Sequence, residues 1–325
     1  MIQTAFTRLV GVEHPVVCAG MAGFTNGELA AAVSEAGGLG VIGGSGYEPE
    51  ELRAEVARAR EITSKPIGVN LLLFGSEELV DEVLASKPEV FSTSWASLEQ
   101  DLREIFARAH EAGSIVMHMS STLEDALRAA DAGADVIAAQ GTEGGGHVGV
   151  MGSSVLVRQV AKAVAPIPVL GAGGFADGAG LAACLALGAD GVLLGTRFLA
   201  SDECPASDAH KQRIVASDGH DTVLTTVADT LTGADWPGAY GRLARTPFIE
   251  EWLGREPELR RRREEILARV RDGEARGDAN YVRQWIGQSA GLVDAVLPAG
   301  QIVAEVVAEA EEIFGSQLPG SVTGS

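Results

Sequence analysis

One glycine-rich segment ends in a histidine, and here the sequence most clearly offers a side chain for chemistry. Four glycines lie between Gln140 and His147, so this segment can fold sharply or move. An imidazole on such a segment can transfer a proton near neutral pH or stabilise charge on a substrate. His147 is therefore the candidate catalytic residue. We interpret the neighbouring Glu143 as a solvated loop carboxylate.

Two other glycine-rich turns, Gly171–Gly174 and Gly195–Thr196, have the composition of anion-binding loops. Glycine lets a ligand approach the backbone closely, so that N–H groups can bind a phosphate. Thr196 would add a hydroxyl donor. Either turn alone is explained as well by a tight turn, but the two together favour a phosphate site.

Two side-chain amides, those of Asn70 and Gln140, each follow an apolar run. An amide can both donate and accept, which suits the uracil-like edge of a cofactor ring. The alternative is that these amides satisfy backbone groups of the loops. Met21 offers soft apolar contact to an aromatic ring, or packs in the core.

The bulk composition excludes several classes of partner. The formal charge is −20 and the pI is about 4.7, so nucleic acids and anionic membrane surfaces are disfavoured. Three scattered cysteines form neither a disulfide framework nor a zinc-binding pair, and no metal site is expected. The first residues lack the pattern of a signal peptide, so the expected location is cytoplasmic.

Short apolar runs alternate with helix-period segments along the first 200 residues. The eight runs are Pro15–Ala19, Leu39–Ile42, Ile67–Leu72, Val90–Ser94, Ile115–Met119, Val136–Ala139, Val169–Gly171 and Val192–Gly195. Continuously apolar strands alternating with helices indicate parallel strands buried on both faces. Eight units predict a (β/α)8 TIM barrel, whereas an open doubly wound sheet usually has fewer strands. A barrel would place the site where the strands end.

After Phe198 the alternation stops. We assign residues 1–204 and 298–314 to the barrel, 205–297 to a mainly helical insertion between strand 8 and helix 8 over the active-site face, and 315–325 to a polar tail. Residues Glu256–Arg271 are expected to form one charged helix, and Pro298–Phe314 an amphipathic one. Asn26, Ser121 and Asp177 are the expected helix caps.

The motifs at the strand ends resemble those of the nitronate monooxygenase family, formerly called 2-nitropropane dioxygenases. They are Cys18-Ala19-Gly20-Met21-Ala22-Gly23, Ala36-Gly37-Gly38-Leu39-Gly40, Gly68-Val69-Asn70-Leu71, Gln140 to Gly149, Gly171 to Gly178, Gly195-Thr196-Arg197-Phe198-Leu199 and Gly287 to Leu292. The likeness extends over about the whole chain, and the order and spacing of the motifs are specific.

The resemblance implies FMN as cofactor, no metal, and the oxidation of alkyl nitronates by O₂. It places His147 as the catalytic histidine, Asn70 and Gln140 at the flavin ring, and Gly173, Gly174, Gly195 and Thr196 at the phosphate. The full expected cofactor set also includes Ala19, Gly20, Met21, Gly145, Gly146, Gly171 and Ala172. The expected substrate pocket comprises Trp95, Gln288, Ser289 and His118, the last if its ring faces the barrel lumen.

Alternative functions remain open at this point. Ser92-Thr93-Ser94-Trp95-Ala96 lacks the Gly and Pro often found there in the family, and Trp95 would fill or roof part of the pocket. NAD(P)H-dependent relatives, the flavin-dependent enoyl-acyl-carrier-protein reductases and NADH:quinone reductases, resemble the chain in the same motifs. A non-catalytic flavin-binding protein is a third class. A small-molecule substrate and O₂ are the expected partners, and a homodimer is one oligomeric state that the sequence leaves open.

Overall fold

The architecture is a closed barrel of eight parallel strands that alternate with helices. The structure is a computed structural model, and it describes residues 2–278, 280–281 and 283–317 of the chain. The barrel strands follow one another in the order β1-β2-β3-β4-β5-β6-β8-β9, and β9 pairs with β1 to close the cylinder. The predicted (β/α)8 TIM barrel is confirmed, and the open sheet is excluded.

The strands are β1 (Val16–Cys18), β2 (Leu39–Gly43), β3 (Ile67–Leu72), β4 (Val90–Ser94), β5 (Ile115–Ser120), β6 (Val136–Gln140), β7 (Gly146–Val148), β8 (Val169–Ala172), β9 (Gly191–Leu194), β10 (Thr222–Thr225) and β11 (Tyr240–Ala244). Each of the eight predicted runs coincides with or overlaps one barrel strand. The bounds differ by one residue in most of them, because the apolar run and the hydrogen-bonded ladder do not end at the same residue.

The α-helices are α1 (Ala5–Val10), α2 (Gly27–Glu35), α3 (Pro49–Ile62), α4 (Leu73–Ser76), α5 (Val80–Ala85), α6 (Leu102–Ala112), α7 (Leu123–Ala132), α8 (Ser153–Ala163), α9 (Gly178–Ala186), α10 (Thr196–Leu199), α11 (Asp208–Val215), α12 (Val227–Thr232), α13 (Pro247–Trp252), α14 (Glu256–Arg261), α15 (Arg263–Ala275) and α16 (Ala299–Glu312). Short 3₁₀ segments lie at Glu77–Leu79 and Gln288–Leu292. Among the described residues, no helix is long and apolar enough to cross a membrane.

Two apolar clusters hold the barrel together. The larger one lies between the strands and the surrounding helices, and the smaller one fills the lumen. Helix α1 closes the lumen at the N-terminal ends of the strands, where Phe6 is completely buried. Asp190 joins this helix to the barrel, because its carboxylate accepts hydrogen bonds from Ala5 N at 3.1 Å and Val169 N at 3.2 Å. The cavity of the barrel is therefore open only toward the other end.

The segment between α10 and α16 differs in part from the expectation. It contains helices α11 to α15, but also β10 and β11, which were not predicted. These two strands and β7 form an antiparallel sheet in the order β10-β11-β7. Short strands with few apolar residues give little sequence signal, and they form here because β7 supplies an edge to pair with. The segment has its own apolar cluster around Trp252 and Leu231.

Several helix boundaries also need correction. Asn26 and Asp177 cap α2 and α9 as predicted, but the cap of α7 is Thr122, whose hydroxyl accepts from Asp125 N, and not Ser121. The predicted helix Glu256–Arg271 is two helices, α14 and α15, separated at Arg262. The predicted tail starts inside a π-helical turn, Ile313–Gln317, and residues 318–325 lie outside the described part of the chain.

We predict that replacing Phe6 with Ala destabilises the barrel strongly. The ring is fully buried in the lumen cluster, and deleting such a ring costs about 3–5 kcal/mol of unfolding free energy. Leu9→Ala on the same helix is the control, since Leu9 is 43% exposed and its removal should cost far less. Denaturant titration of the three proteins measures both values. Equal losses of unfolding free energy in the two variants would contradict the conclusion that Phe6 closes the lumen at this end of the barrel.

Candidate active site

A cavity of about 350 Å³ lies at the C-terminal ends of the barrel strands. Most of the site residues predicted from the sequence line this cavity. They are Ala19, Gly20, Met21, Asn70, Trp95, Gln140, Gly145, Gly146, His147, Ala172, Gly173, Gly174, Gly195, Thr196 and Ser289. These residues come from seven loops or strand ends that are far apart in the sequence. The barrel brings them together because all its strands end on the same side.

The glycines that follow β8 form one end of the cavity. Gly173 and Gly174 both have φ of +84°, a left-handed conformation that favours glycine. A Cβ on Gly173 would also lie 2.6 Å from Gly141 O, so the two loops touch through their backbones. Thr196 lines the same cavity, and its Oγ1 accepts a hydrogen bond from Gly287 N at 2.9 Å. The Thr196 hydroxyl hydrogen remains available to a bound anion.

The two amides differ in how far they are engaged. Asn70 accepts a hydrogen bond from the Ser92 hydroxyl at 2.9 Å and donates one to Gly20 O at 3.3 Å, so it largely serves the protein itself. Gln140 lines the same cavity, and its Oε1 is buried without a hydrogen-bond partner among the described residues. Such an acceptor is costly to leave unpaired, so it marks a place where a ligand donor fits.

His147 does not lie on a free loop, because it is the central residue of strand β7, paired opposite Gly241 of β11. Its Nε2 lies 2.8 Å from Asp229 Oδ1, and both side chains are about 10% exposed. The imidazole stacks on Trp236, with ring centroids 3.4 Å apart and planes 10° apart. Trp285 packs against it from another side at 4.9 Å. The histidine is therefore held firmly at the wall of the cavity.

Sequence reasoning missed Asp229, Trp236 and Trp285, all of which belong to the segment between α10 and α16. No recognisable sequence motif surrounds these residues. The one signal in the sequence was that three of the four tryptophans lie after residue 205. Trp95 was expected at the pocket and lines it, with φ of +53°. A left-handed non-glycine residue is strained, and such strain is concentrated at functional sites. Its indole packs edge-on against Trp236 at 6.0 Å.

Three residues expected at the site, His118, Gly171 and Gln288, are not among those that line the main cavity. His118 is fully buried between β5 and the helices, with Nδ1 2.8 Å from Thr93 Oγ1 and Nε2 3.4 Å from Asp125 Oδ2, so it does not face the lumen. Strand residues alternate in direction, and Met119, the next residue in β5, lines the cavity instead. Gly171 faces helix α9, where a Cβ would lie 2.3 Å from Cys184 Sγ.

Gln288 lines a smaller adjoining cavity of about 210 Å³ rather than the main one. Glu143 is also not a solvated carboxylate. It accepts a hydrogen bond from Ser153 N at 3.0 Å, which satisfies a free N–H at the start of α8. Both residues thus support the glycine-rich loop from outside the cavity.

Close backbone contacts join this loop to the segment that follows the barrel. A Cβ on Gly145 would lie 2.5 Å from Gly287 N, and Gln288 N donates to Glu143 O at 2.9 Å. Arg242 of β11 adds a side-chain contact, since its Nε donates to Thr142 O at 2.8 Å. Burial lowers the pKa of the Arg242 guanidinium, and the nearby Glu143 opposes that effect. The loop position therefore depends on residues that lie 100 or more positions later in the chain.

Among the described residues that line the cavity there is one imidazole and no carboxylate or thiol. Throughout the described ranges, no three His, Cys, Asp or Glu side chains form a group that could hold a metal ion. The arrangement instead offers a backbone cradle for an anion, an acceptor for a ring N–H, and an imidazole that can hold or transfer a proton.

Comparison with known proteins identifies related families. The model of the nitronate monooxygenase family matches residues 3–81 and 74–309. A probable nitronate monooxygenase of Staphylococcus saprophyticus is 31% identical over 361 aligned positions, which cover 96% of this chain and 99% of that protein. A 5-hydroxy-7a-methyl-1-oxo-octahydro-1H-indene-4-carboxyl-CoA dehydrogenase of Mycobacterium tuberculosis is 37% identical, over 77% of this chain and 68% of its own length. Its counterpart in Rhodococcus jostii matches over 64% of its length.

Solved structures agree with this grouping. FabK from Thermotoga maritima has a TM-score of 0.86 and 35% identity, covering 99% of this chain and all of that one. A nitroalkane oxidase from Streptomyces ansochromogenes has a TM-score of 0.80 and 30% identity, covering 97% of this chain and all of its own. These relatives are oxidoreductases by name or family, and their likeness extends over the segment between α10 and α16 as well as the barrel.

We predict that Thr196→Val weakens the contact between the barrel and Gly287. The variant keeps the shape of the side chain but leaves the buried Gly287 N–H without an acceptor, which costs about 1–3 kcal/mol of unfolding free energy. Thr196→Ser keeps the hydroxyl and should retain most of the stability. Denaturant titration compares the three proteins, and a Val variant as stable as the native chain would argue against this hydrogen bond.

Proposed function

Because this chain belongs to the nitronate monooxygenase family, we propose that it is an FMN-dependent oxidoreductase that oxidises alkyl nitronates with O₂. The observation that carries this proposal is the position of His147, which lines the same cavity as the anion cradle and the unpaired Gln140 acceptor. The family resemblance of the motifs supports the same reading.

The residues present fit FMN. Gly173, Gly174, Gly195 and Thr196 offer N–H and hydroxyl donors at one end of the cavity, as a phosphate requires. Gln140 Oε1 offers an acceptor for the N–H of a flavin ring, and Met21 an apolar contact. When bound, FMN would supply the electron-transfer chemistry, which side chains cannot perform.

His147 would stabilise the substrate. Among the described residues that line the cavity, it is the one side chain that can carry a positive charge near neutral pH. A protonated imidazole would therefore bind the negative oxygens of a nitronate, and a neutral one could take the α-proton of a nitroalkane. Trp95, Trp236 and Trp285 would reduce the water around this ion pair, which strengthens the attraction.

A second candidate is an NAD(P)H-dependent reductase of enoyl thioesters. Two observations favour it: the motifs resemble those of flavin-dependent enoyl-acyl-carrier-protein reductases, and three tryptophans line the cavity. Such a wall suits a flat conjugated acyl group as well as a small nitronate. In this reading a protonated His147 would donate the proton that the reduced substrate carbon requires. A non-catalytic flavin-binding protein is the third alternative.

Anaerobic mixing separates these functions. We expect an alkyl nitronate alone to bleach the oxidised flavin absorbance of the FMN-loaded protein, and NAD(P)H alone to leave it unchanged. The opposite pattern would establish the reductase, and a response to neither donor would leave the flavin-binding protein. A protein that is colourless as purified and takes up no FMN would contradict all three.

We also predict that His147→Ala retains FMN but loses turnover. Removing a group that transfers a proton or holds the substrate charge should lower kcat/KM by about 10²–10⁴-fold. His220→Ala is the control, because His220 is exposed and remote in sequence from every lining residue. Steady-state kinetics with the donor found above, together with the flavin content of each protein, measures the effect. Unchanged turnover would remove His147 from the mechanism.

A further inference from the structure

One carboxylate reaches the candidate catalytic histidine from outside the barrel. Asp229 belongs to α12, and its Oδ1 lies 2.8 Å from His147 Nε2. We propose that Asp229 is a positioning residue that keeps a proton on His147 Nε2, so that Nδ1 is the atom that exchanges a proton with the substrate. This inference rests on the proposed function, since it names the atom of His147 that acts in it.

The chemistry of the pair determines where the proton lies. A carboxylate can only accept hydrogen bonds, so the partner nitrogen at 2.8 Å must be the donor. In neutral imidazole one nitrogen donates and the other accepts. With the proton on Nε2, the neutral ring has its lone pair on Nδ1, and a protonated ring donates from Nδ1 to the substrate.

To exchange a proton with the substrate, Nδ1 must be unpaired and accessible. Among the described residues it has no hydrogen-bond partner, and it is not one of the fully buried unpaired atoms, so it keeps accessible surface. His147 is one of the residues that line the main cavity, and we infer that the accessible surface of Nδ1 faces it. The nitrogen on the Asp229 side is occupied, while the other has no partner in the described part of the chain and is available to a substrate in the cavity.

The ring cannot easily turn over about its Cβ–Cγ bond, which would put Cε1 in the place of Nε2 and Cδ2 in the place of Nδ1. Its plane is stacked on Trp236 at 3.4 Å, and its backbone is held by the pairing of β7 with β11. Turning the ring over would break the 2.8 Å hydrogen bond and leave the nearly buried Asp229 carboxylate unpaired, which is unfavourable. The stack therefore fixes the plane of the ring, and the hydrogen bond to Asp229 fixes its orientation in that plane and the nitrogen that carries the proton.

A purely structural role for Asp229 explains the geometry less well. The residue lies in the first turn of α12, where a carboxylate can interact with the helix N-terminus. The helix has only six residues, however, and its N-cap is Thr226 without a side-chain cap bond. Oδ1 points to His147 instead. Because both partners are about 10% exposed, their attraction is weakly screened by solvent.

The tautomer can be measured directly in the FMN-loaded protein. Ring nitrogen shifts of protein labelled with ¹⁵N-histidine distinguish a protonated from an unprotonated nitrogen, and the spectrum of His147→Gln assigns the signals. In the native protein we expect neutral His147 to carry its proton on Nε2. Asp229→Asn, which can donate as well as accept, should give a mixture of both tautomers. A native ring protonated on Nδ1 would overturn the proposal.

Kinetics provides the second measurement. Asp229→Asn should lower kcat on the order of 10–100-fold, the usual effect of removing a partner that orients an acting histidine, with KM changed less than about twofold. Asp235→Asn is the matched control, since this exposed carboxylate lies six positions later in the same segment. It should retain native kcat and the native tautomer.

The outcomes separate this proposal from the proposed function. If no donor reduces the flavin, the nitrogen shifts still decide the tautomer, and the proposed function alone fails. If turnover is present and Asp229→Asn retains both native kcat and the Nε2 proton, the positioning role is wrong. Should Asp229→Asn fold poorly, Asp229→Glu retains a carboxylate and is expected to restore the Nε2 tautomer, and a Nδ1 tautomer in it would also count against the proposal.

Discussion

The pairing of β7 with β11 is the interaction on which the candidate site depends. Strand β7 carries His147 and comes from the barrel loop after β6, whereas β11 belongs to the segment between α10 and α16. Without this pairing, the four glycines before His147 would leave the imidazole with many accessible positions. Backbone hydrogen bonds in an antiparallel ladder fix both its depth and its direction. The barrel thus supplies the cavity, and the later segment fixes the candidate catalytic histidine at its wall.

The same segment also sets the surroundings of the imidazole. Asp229, Trp236 and Trp285 all contact its ring, and each comes from the part of the chain after residue 205. The contact is tight because Gly145 and Gly287 have no side chains and their backbones can touch. A cavity with apolar walls and one imidazole provides little competition from water for an ion pair. Such a cavity would favour the anionic substrate that we propose, despite the formal charge of −20 on the chain.

The cradle of glycines and Thr196 that we propose for the phosphate follows a different physical rule. It uses backbone N–H groups and one hydroxyl rather than cationic side chains, and its geometry depends on two consecutive residues with left-handed φ. Arg197 follows Thr196 directly, yet it is buried and donates to Ala295 O at 3.0 Å. Burial lowers the pKa of its guanidinium, although Asp294 and Glu305 act to raise it. This cation therefore holds the chain that returns to α16 instead of facing the cavity.

The sequence by itself determined the barrel and the strand-end motifs, because each depends on local patterns. Eight buried runs predict eight strands, and glycines after β8 and β9 predict turns where backbone donors are exposed. Side-chain direction is less local, so His118 and Gly171 were placed wrongly, each facing the helices rather than the lumen or cavity. Only the tertiary structure decided the partners of His147. Asp229 lies 82 positions away, and nothing in the spacing of two such residues predicts a contact that depends on how β11 pairs with β7.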